Sequence, residues 1–235
     1  MDQPLSFFGQ TLILHHSGAA FLPAQGALLV ADLHLEKGSA FASRGRHLPP
    51  YDTGHTLDRL AAVIRHFAPD LIVCLGDSFH DGTALSRMSP GDRARLAALQ
   101  AGCRWIWVAG NHDPDMDGAI GGERRPDLTL GGIVLRHEAQ AGATAEISGH
   151  FHPKAVVQSR VRRIGGRCFA GDGRRLILPA FGAYTGGLNV LSPAYRRLLA
   201  RPFLVHLIGR ERLYRFPDSA LLPDAREDRP FAAAG

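Results

Sequence analysis

Three short apolar runs constrain this chain more than any other feature, because of the residues that stand at their ends. Ala27 to Ala31 (ALLVA), Leu71 to Leu75 (LIVCL) and Trp105 to Ala109 (WIWVA) each predict a buried strand. Directly after them stand Asp32 and His34, then Gly76 and Asp77, then Gly110, Asn111, His112 and Asp113. In an open α/β sheet, ligands bind at the carboxyl ends of the strands. Three separate strands therefore deliver metal-type side chains to one edge.

Between the runs lie two helical patterns. One carries Leu57, Leu60, Ile64 and Phe67 on a single face and ends near Pro69; the other runs from Pro90 through Leu96 and Leu99 to a stop at Gly102. Strand and helix in alternation predict an α/β protein. The second half reads as mostly β, with strand-like pieces at 132–136, 145–148, 155–161, 167–170 and 176–178 and a closing hairpin of 203–208 with 212–216. A length of 235 residues suits one domain, placed at 1–216. The stretch 217–235 mixes Pro, Asp, Arg and Ala without a period and predicts a loosely docked tail.

The β-rich half adds His137 and the pair His150 and His152 in Gly149-His150-Phe151-His152, where alternate residues of an extended segment share a side. Taken alone, each of these elements is weak. Asp-x-His pairs arise by chance and a Gly-Asp pair usually marks a turn, although the histidine inside Gly110-Asn111-His112-Asp113 has no turn-forming role. In order along one chain they are hard to credit as accident. Asp and Asn oxygens mixed with imidazole nitrogens, and no thiolate, suit a borderline divalent ion better than calcium.

This order of motifs resembles the calcineurin-like metallophosphoesterase superfamily, written here as DLH, GDSFHD, GNHDP, RHE and GHFHP. Within it, the longer text VADLHLEKGSAFASRG, LGDSFHDG, WVAGNHD, ISGHFHPKA and LILPAFGAYTGGLNV is similar to the bacterial DNA ligase-associated phosphoesterases over about residues 5 to 216. The resemblance implies a two-sheet α/β sandwich flanked by helices, in α-β-β-α layers, and two divalent metal ions. Manganese is the first choice, with iron, zinc or nickel as alternatives. The first ion would sit on Asp32, His34, Asp77 and His152, the second on Asp77, Asn111, His137 and His150, so that Asp77 bridges them. Two such ions supply hydroxide near neutral pH and clamp the phosphoryl oxygens, so in-line attack on phosphorus without a Ser or Cys nucleophile is expected. His112 would point at the substrate and stabilise or protonate the leaving oxygen, with Asp113 holding its imidazole in the needed tautomer. Arg44, and with it Arg46, could bring a guanidinium to a substrate phosphate, or face solvent. His80 and Asp81 are either supports behind Asp77 or simply loop, and Glu36, where the superfamily often has a small residue, adds a negative charge near the site.

Partners are implied by the same resemblance: DNA, single-stranded or structured and read with little sequence preference, and work beside a ligase, a helicase and an exonuclease in repair. The formal net charge of +5 is compatible with a polyanion, although arginine is abundant throughout and lysine is confined to Lys37 and Lys154. Two competing readings are a small-molecule phosphoesterase acting on cyclic or nucleotide-linked phosphates, and a non-catalytic scaffold, which would have shed ligands that are all present here. Three scattered cysteines without a CxxC pair, no export signal and no long apolar span predict a reduced, cytoplasmic setting away from membranes. A homodimer through the second half is compatible with the chain, with no heptad pattern to fix a count.

Overall fold

The computed structural model describes residues 2–46, 48–49, 51–113 and 120–224. Strands β1 (Gln3–Phe7), β2 (Gln10–Leu14), β3 (Ala20–Leu22) and β4 (Ala27–Val30) form an antiparallel meander. After helices α1 (Lys37–Ala42) and α2 (Asp52–Phe67), β5 (Leu71–Leu75) pairs parallel with β4. Helices α3 (Ala84–Arg87) and α4 (Pro90–Gln100) then lead to β6 (Arg104–Val108) and β7 (Glu123–Arg125), also parallel, which completes a seven-stranded sheet in the order β1 to β7.

Each of the three apolar runs feeds two cores, which is why it shows no polar alternation. Leu29, Val73, Leu75, Ile106 and Val108 point toward the second sheet, while Leu28, Val30, Ile72, Cys74, Trp105 and Trp107 point toward α2 and α4. Fully burying one such aliphatic side chain contributes about 1.5–3 kcal/mol. Trp107 also settles its indole N–H on the Gly121 carbonyl at 2.9 Å. α2 turns Leu57, Leu60 and Val63 to this layer and ends where Ala68 adopts left-handed backbone ahead of Pro69. α4 begins at Pro90 because the Ser89 hydroxyl accepts the Asp92 N–H.

The second half is the other sheet, as expected: β8 (Leu128–Leu130), β9 (Ile133–Arg136), β10 (Glu146–Ser148), β11 (Pro153–Gln158), β12 (Arg163–Gly171) and β13 (Arg175–Ile177), then β14 (Leu188–Asn189), α5 (Pro193–Arg196), β15 (Leu204–Ile208), β16 (Leu213–Pro217) and β17 (Leu221–Leu222). Its inner face (Ile133, Leu135, Ile147, Phe169, Leu176) packs on the first sheet, and its outer face packs around Tyr195, Leu198 and Leu199. The layers are helix, sheet, sheet and helix.

Two expectations need correction. The strand expected over 155–161 stops at Gln158, because the Ser159 N–H and hydroxyl donate to the Arg162 carbonyl while that hydroxyl accepts the Arg162 N–H, closing a turn that leaves Val161 91% exposed. The tail is docked further than expected: Leu221 and Leu222 pair with Val157 and Val156, and the Asn189 amide donates to the Leu222 carbonyl and the Asp224 carboxylate. Residues 225–235 lie outside the described residues. Among the described residues, no helix is long and apolar enough to cross a membrane.

Candidate metal centre

The candidate ligands meet because the chain turns sharply where its strands end. Asp32, His34, Asp77, His150 and His152 all have left-handed backbone, with φ between 43° and 68°. This costs a non-glycine residue about 1–3 kcal/mol and persists only where surrounding contacts over-determine it. Those contacts are present. The Asp32 N–H donates to the Gly76 carbonyl at 3.2 Å, the His34 N–H to the Asp77 carbonyl at 2.9 Å, and the His150 N–H to the Asp32 carboxylate at 3.0 Å. Two motif glycines are required by close approach: a Cβ on Gly110 would lie 2.1 Å from the Asp77 nitrogen, and one on Gly149 would lie 2.6 Å from the Asp32 carboxylate.

Two clusters result. In the first, His152 Nε2 lies 3.3 Å from both Asp32 Oδ1 and His34 Nε2. In the second, Asn111 Oδ1 lies 2.9 Å from His137 Nε2 and 3.0 Å from His150 Nδ1, and these two nitrogens are 3.1 Å apart. Asp77 stands between the clusters, with Oδ2 3.8 Å from His34 Nε2 and Oδ1 3.4 Å from His137 Nε2. The structure thus brings all seven candidate ligands within reach of one another.

The second cluster fits a cation on chemical grounds. His137 Nδ1 donates to the Leu75 carbonyl at 2.9 Å, and a carbonyl only accepts, so Nε2 of the neutral ring is bare. That nitrogen faces an amide oxygen and another imidazole nitrogen. Only a proton or a metal ion can lie among these lone pairs. The same demand appears in the titration of His137: burial would lower it, but the hydrogen bond to Asp77 and the charges of Asp32 and Asp77 push it up to about 9. Burial would likewise raise Asp77, yet His137, the His112 N–H and His34 together hold it well below the usual carboxylate range. At the first cluster, burial pushes His34 down to about 3 despite the opposing charge of Asp77, leaving a neutral imidazole.

The role expected of Asp113 is filled by another group. Asp113 is buried, and its two oxygens accept the N–H groups of Ser78 (2.7 Å), Phe79 (3.0 Å) and Gly110 (3.1 Å), which pins the loops after β5 and β6 to each other. The His112 imidazole is held instead by the main-chain carbonyl of His80, which accepts from Nδ1 at 2.9 Å, while the His80 ring stacks on it at 5.4 Å. A carboxylate one residue along the chain has no means of turning back when three backbone N–H groups already claim it. No sequence signal marks a carbonyl, although the His80 position in GDSFHD was within view.

Glu36 is engaged by two hydroxyl groups. Its carboxylate accepts the Ser39 hydroxyl at 2.6 Å and the Thr53 hydroxyl at 2.9 Å, locking α1 to α2. Asp81 binds the Thr83 N–H and the Arg87 guanidinium and is a loop residue. Arg44 and Arg46 come after α1, exposed, and among the described residues neither side chain has a hydrogen bond or ion pair. Arg44 is close enough to add a small push to His80, which burial and then Lys37 and His112 lower. The segment 180–182 had no role assigned from sequence; the N–H groups of Phe181 and Gly182 donate to the carbonyls of Ala31 and Asp32, clamping the first motif. A cavity of about 430 Å³ opens beside the second cluster, bounded by Asn111, His137, Arg136 and Glu138.

The comparisons agree with this geometry. A family profile for calcineurin-like phosphoesterases matches residues 27–160, more than half of the chain. A nuclease from Pseudomonas putida, MPE, is similar in structure at TM-score 0.69 and 29% identity, over 92% of this chain and 100% of that one. The phosphoesterase Yfce from E. coli matches at TM-score 0.40 and 11% identity, over 81% of this chain and 97% of that one. None of the curated proteins compared matches. The protein is a phosphoester hydrolase with His and Asp clusters able to hold divalent metal, and the chain belongs to the calcineurin-like phosphoesterase family.

Proposed function

We propose that this chain is a two-metal phosphodiesterase that cuts DNA as an endonuclease. The observation that carries the two-metal part is the placement of Asp77, whose two oxygens face different clusters. One ion would be held by Asp32, His34, Asp77 and His152, the other by Asp77, Asn111, His137 and His150. When bound, such a pair activates a water molecule and neutralises the phosphoryl oxygens, with manganese the first choice of metal.

The chain's own residues supply the rest. The His112 N–H, 2.9 Å from Asp77 Oδ1, fixes the bridging carboxylate, so one residue orients the metal site through its backbone and meets substrate through its ring. With Nδ1 spent on the His80 carbonyl, His112 turns Nε2 toward the site, 4.0 Å from Asp77 Oδ2, and can give a proton to the leaving oxygen only as the doubly protonated imidazolium. Its side chain is 41% exposed and open to a bound strand. A covalent route has little to use, since Cys74 and Ser78 beside Asp77 are both buried.

The DNA half of the reading is supported by the likeness to the Pseudomonas putida nuclease and by the net charge of +5. A place in repair beside a ligase, helicase and exonuclease rests on the ligase-associated resemblance. The test is a substrate panel with Mn²⁺: single-stranded DNA, duplex DNA, a cyclic nucleotide and bis-p-nitrophenyl phosphate. Internal cleavage of DNA is expected. Activity confined to the two small substrates would reject the nuclease reading and leave a small-molecule phosphoesterase.

A further inference from the structure

A second cavity, of about 490 Å³, lies where the end of β2, α2, β12 and the β15–β16 turn meet, and its walls set His15, His16, Arg59, His66, Arg167 and Arg210 beside apolar Ala62, Val63 and Ile208. Among the described residues, no Asp or Glu lines it. Its two half-buried arginines are spent on neutral groups. Arg59 donates to the carbonyls of Phe181 (2.7 Å) and Ser17 (2.6 Å), and Arg167 donates to the carbonyl of Ala180 (2.7 Å). Among the described residues neither forms an ion pair.

Carbonyls satisfy N–H groups without neutralising charge, and a partly buried cation without a counter-charge is costly. Arg59 shows that cost: burial, then the charge of Arg167, push it down to about 10. The nearby Asp2 carboxylate is shared by His66 at 2.9 Å and His15 at 3.8 Å, and Glu211 flanks the turn without lining the cavity. His16 Nδ1 is buried with no hydrogen-bond partner. Two guanidinium groups with unused donors and a third arginine at the mouth fit an anion with several acceptor oxygens.

We infer that this cavity is a phosphate-binding site separate from the metal centre, and that it takes a backbone phosphate of the substrate strand away from the scissile bond. The second clause rests on the nuclease reading; the first does not. Topology supports the pairing of the two sites. Ala20 of β3 pairs with Leu29 and Leu14 of β2 pairs with Ala20, so the end of β2 reaches the same sheet edge as Asp32. The segment whose carbonyls Arg59 and Arg167 grip is the one whose N–H groups hold Ala31 and Asp32.

The site is tested by titrating the holoprotein with inorganic phosphate while tracking histidine ring signals by NMR. His16 and His66 should shift saturably, separately from the metal-site histidines. Arg210→Glu, at an exposed turn position, should weaken that response by about tenfold, the loss of one charge-assisted contact. Arg59→Lys, which keeps the charge and loses the fork, should weaken it less. Absence of a saturable shift, or an equal shift in Arg210→Glu, overturns the site. The strand assignment is tested by the ratio of kcat/KM on a short oligonucleotide to that on bis-p-nitrophenyl phosphate, which Arg210→Glu should lower by about tenfold. An unchanged ratio overturns that assignment, and a chain that cuts no DNA overturns the nuclease reading while the phosphate titration still decides the site.

Discussion

The two halves of the first sheet share one core and do different work. In the antiparallel half, Leu12, Leu14, Ala20 and Leu22 join the same core as Leu29, Val73 and Ile106 of the parallel half. In the parallel half, however, β4, β5 and β6 all end at one edge, and the chain beyond them supplies Asp32, His34, Asp77 and Asn111. A meander brings only alternate strand ends to that edge. Packing stabilises both halves; shared strand direction is what gathers the side chains able to hold metal.

That contrast can be broken most severely at Asp77. Asp77→Ala removes the group facing both clusters and should lower turnover on the order of 10⁴-fold, several kcal/mol of charge stabilisation, with metal content per chain falling in elemental analysis. A fully metallated, active variant would remove Asp77 from its bridging place. His112→Ala should lower kcat by about 10²–10⁴-fold with metal content unchanged. Metal loss in that variant would make the ring structural instead. In the antiparallel half, Leu12→Ala should cost about 2–5 kcal/mol in denaturant unfolding while the specific activity of the folded protein stays level, and a matching fall in kcat would merge the two halves.

The smallest effect concerns the seam between β1 and the second sheet, where buried His206 bonds Gln3 at 3.0 Å. Burial, then Arg215, push its imidazole down to about 4, against an ordinary value of 6.5. The folded state therefore favours the neutral ring. This contribution is fully present above pH 6.5 and is lost as pH falls toward 4, because the unfolded chain takes up a proton that the folded one refuses. Urea midpoints should fall between pH 7 and pH 5, and His206→Gln should flatten the slope; equal slopes would place the acid sensitivity elsewhere.

The same division governs what was legible in the sequence. β4, β5 and β6 read to within a residue because burial on both faces leaves an unbroken apolar run, as in LIVCL. β1 and β2, QPLSF and QTLIL, went unread: they alternate with polar residues at their exposed positions and are strands chiefly because they pair with one another. The seven clustered residues were legible as candidate ligands because few other reasons put Asp, Asn and His at successive strand ends. The directions of Asp113 and Glu36 were not, because a carboxylate turns toward whichever N–H or hydroxyl the fold supplies, and Ser78 and Thr53 are 35 and 17 residues away in the chain. The Arg59 and Arg167 cavity was invisible for the same reason, being assembled from distant segments of an arginine-rich chain.

The central claim is that segments beyond β4, β5, β6, β9 and β10 converge on two cation sites that share Asp77. Anomalous diffraction from crystals grown with Mn²⁺ tests it most directly. Two peaks about 3.5–4 Å apart are predicted, one among Asp32, His34 and His152, one among Asn111, His137 and His150, and both against Asp77. Manganese bound at a single position, or away from Asp77, would contradict the account.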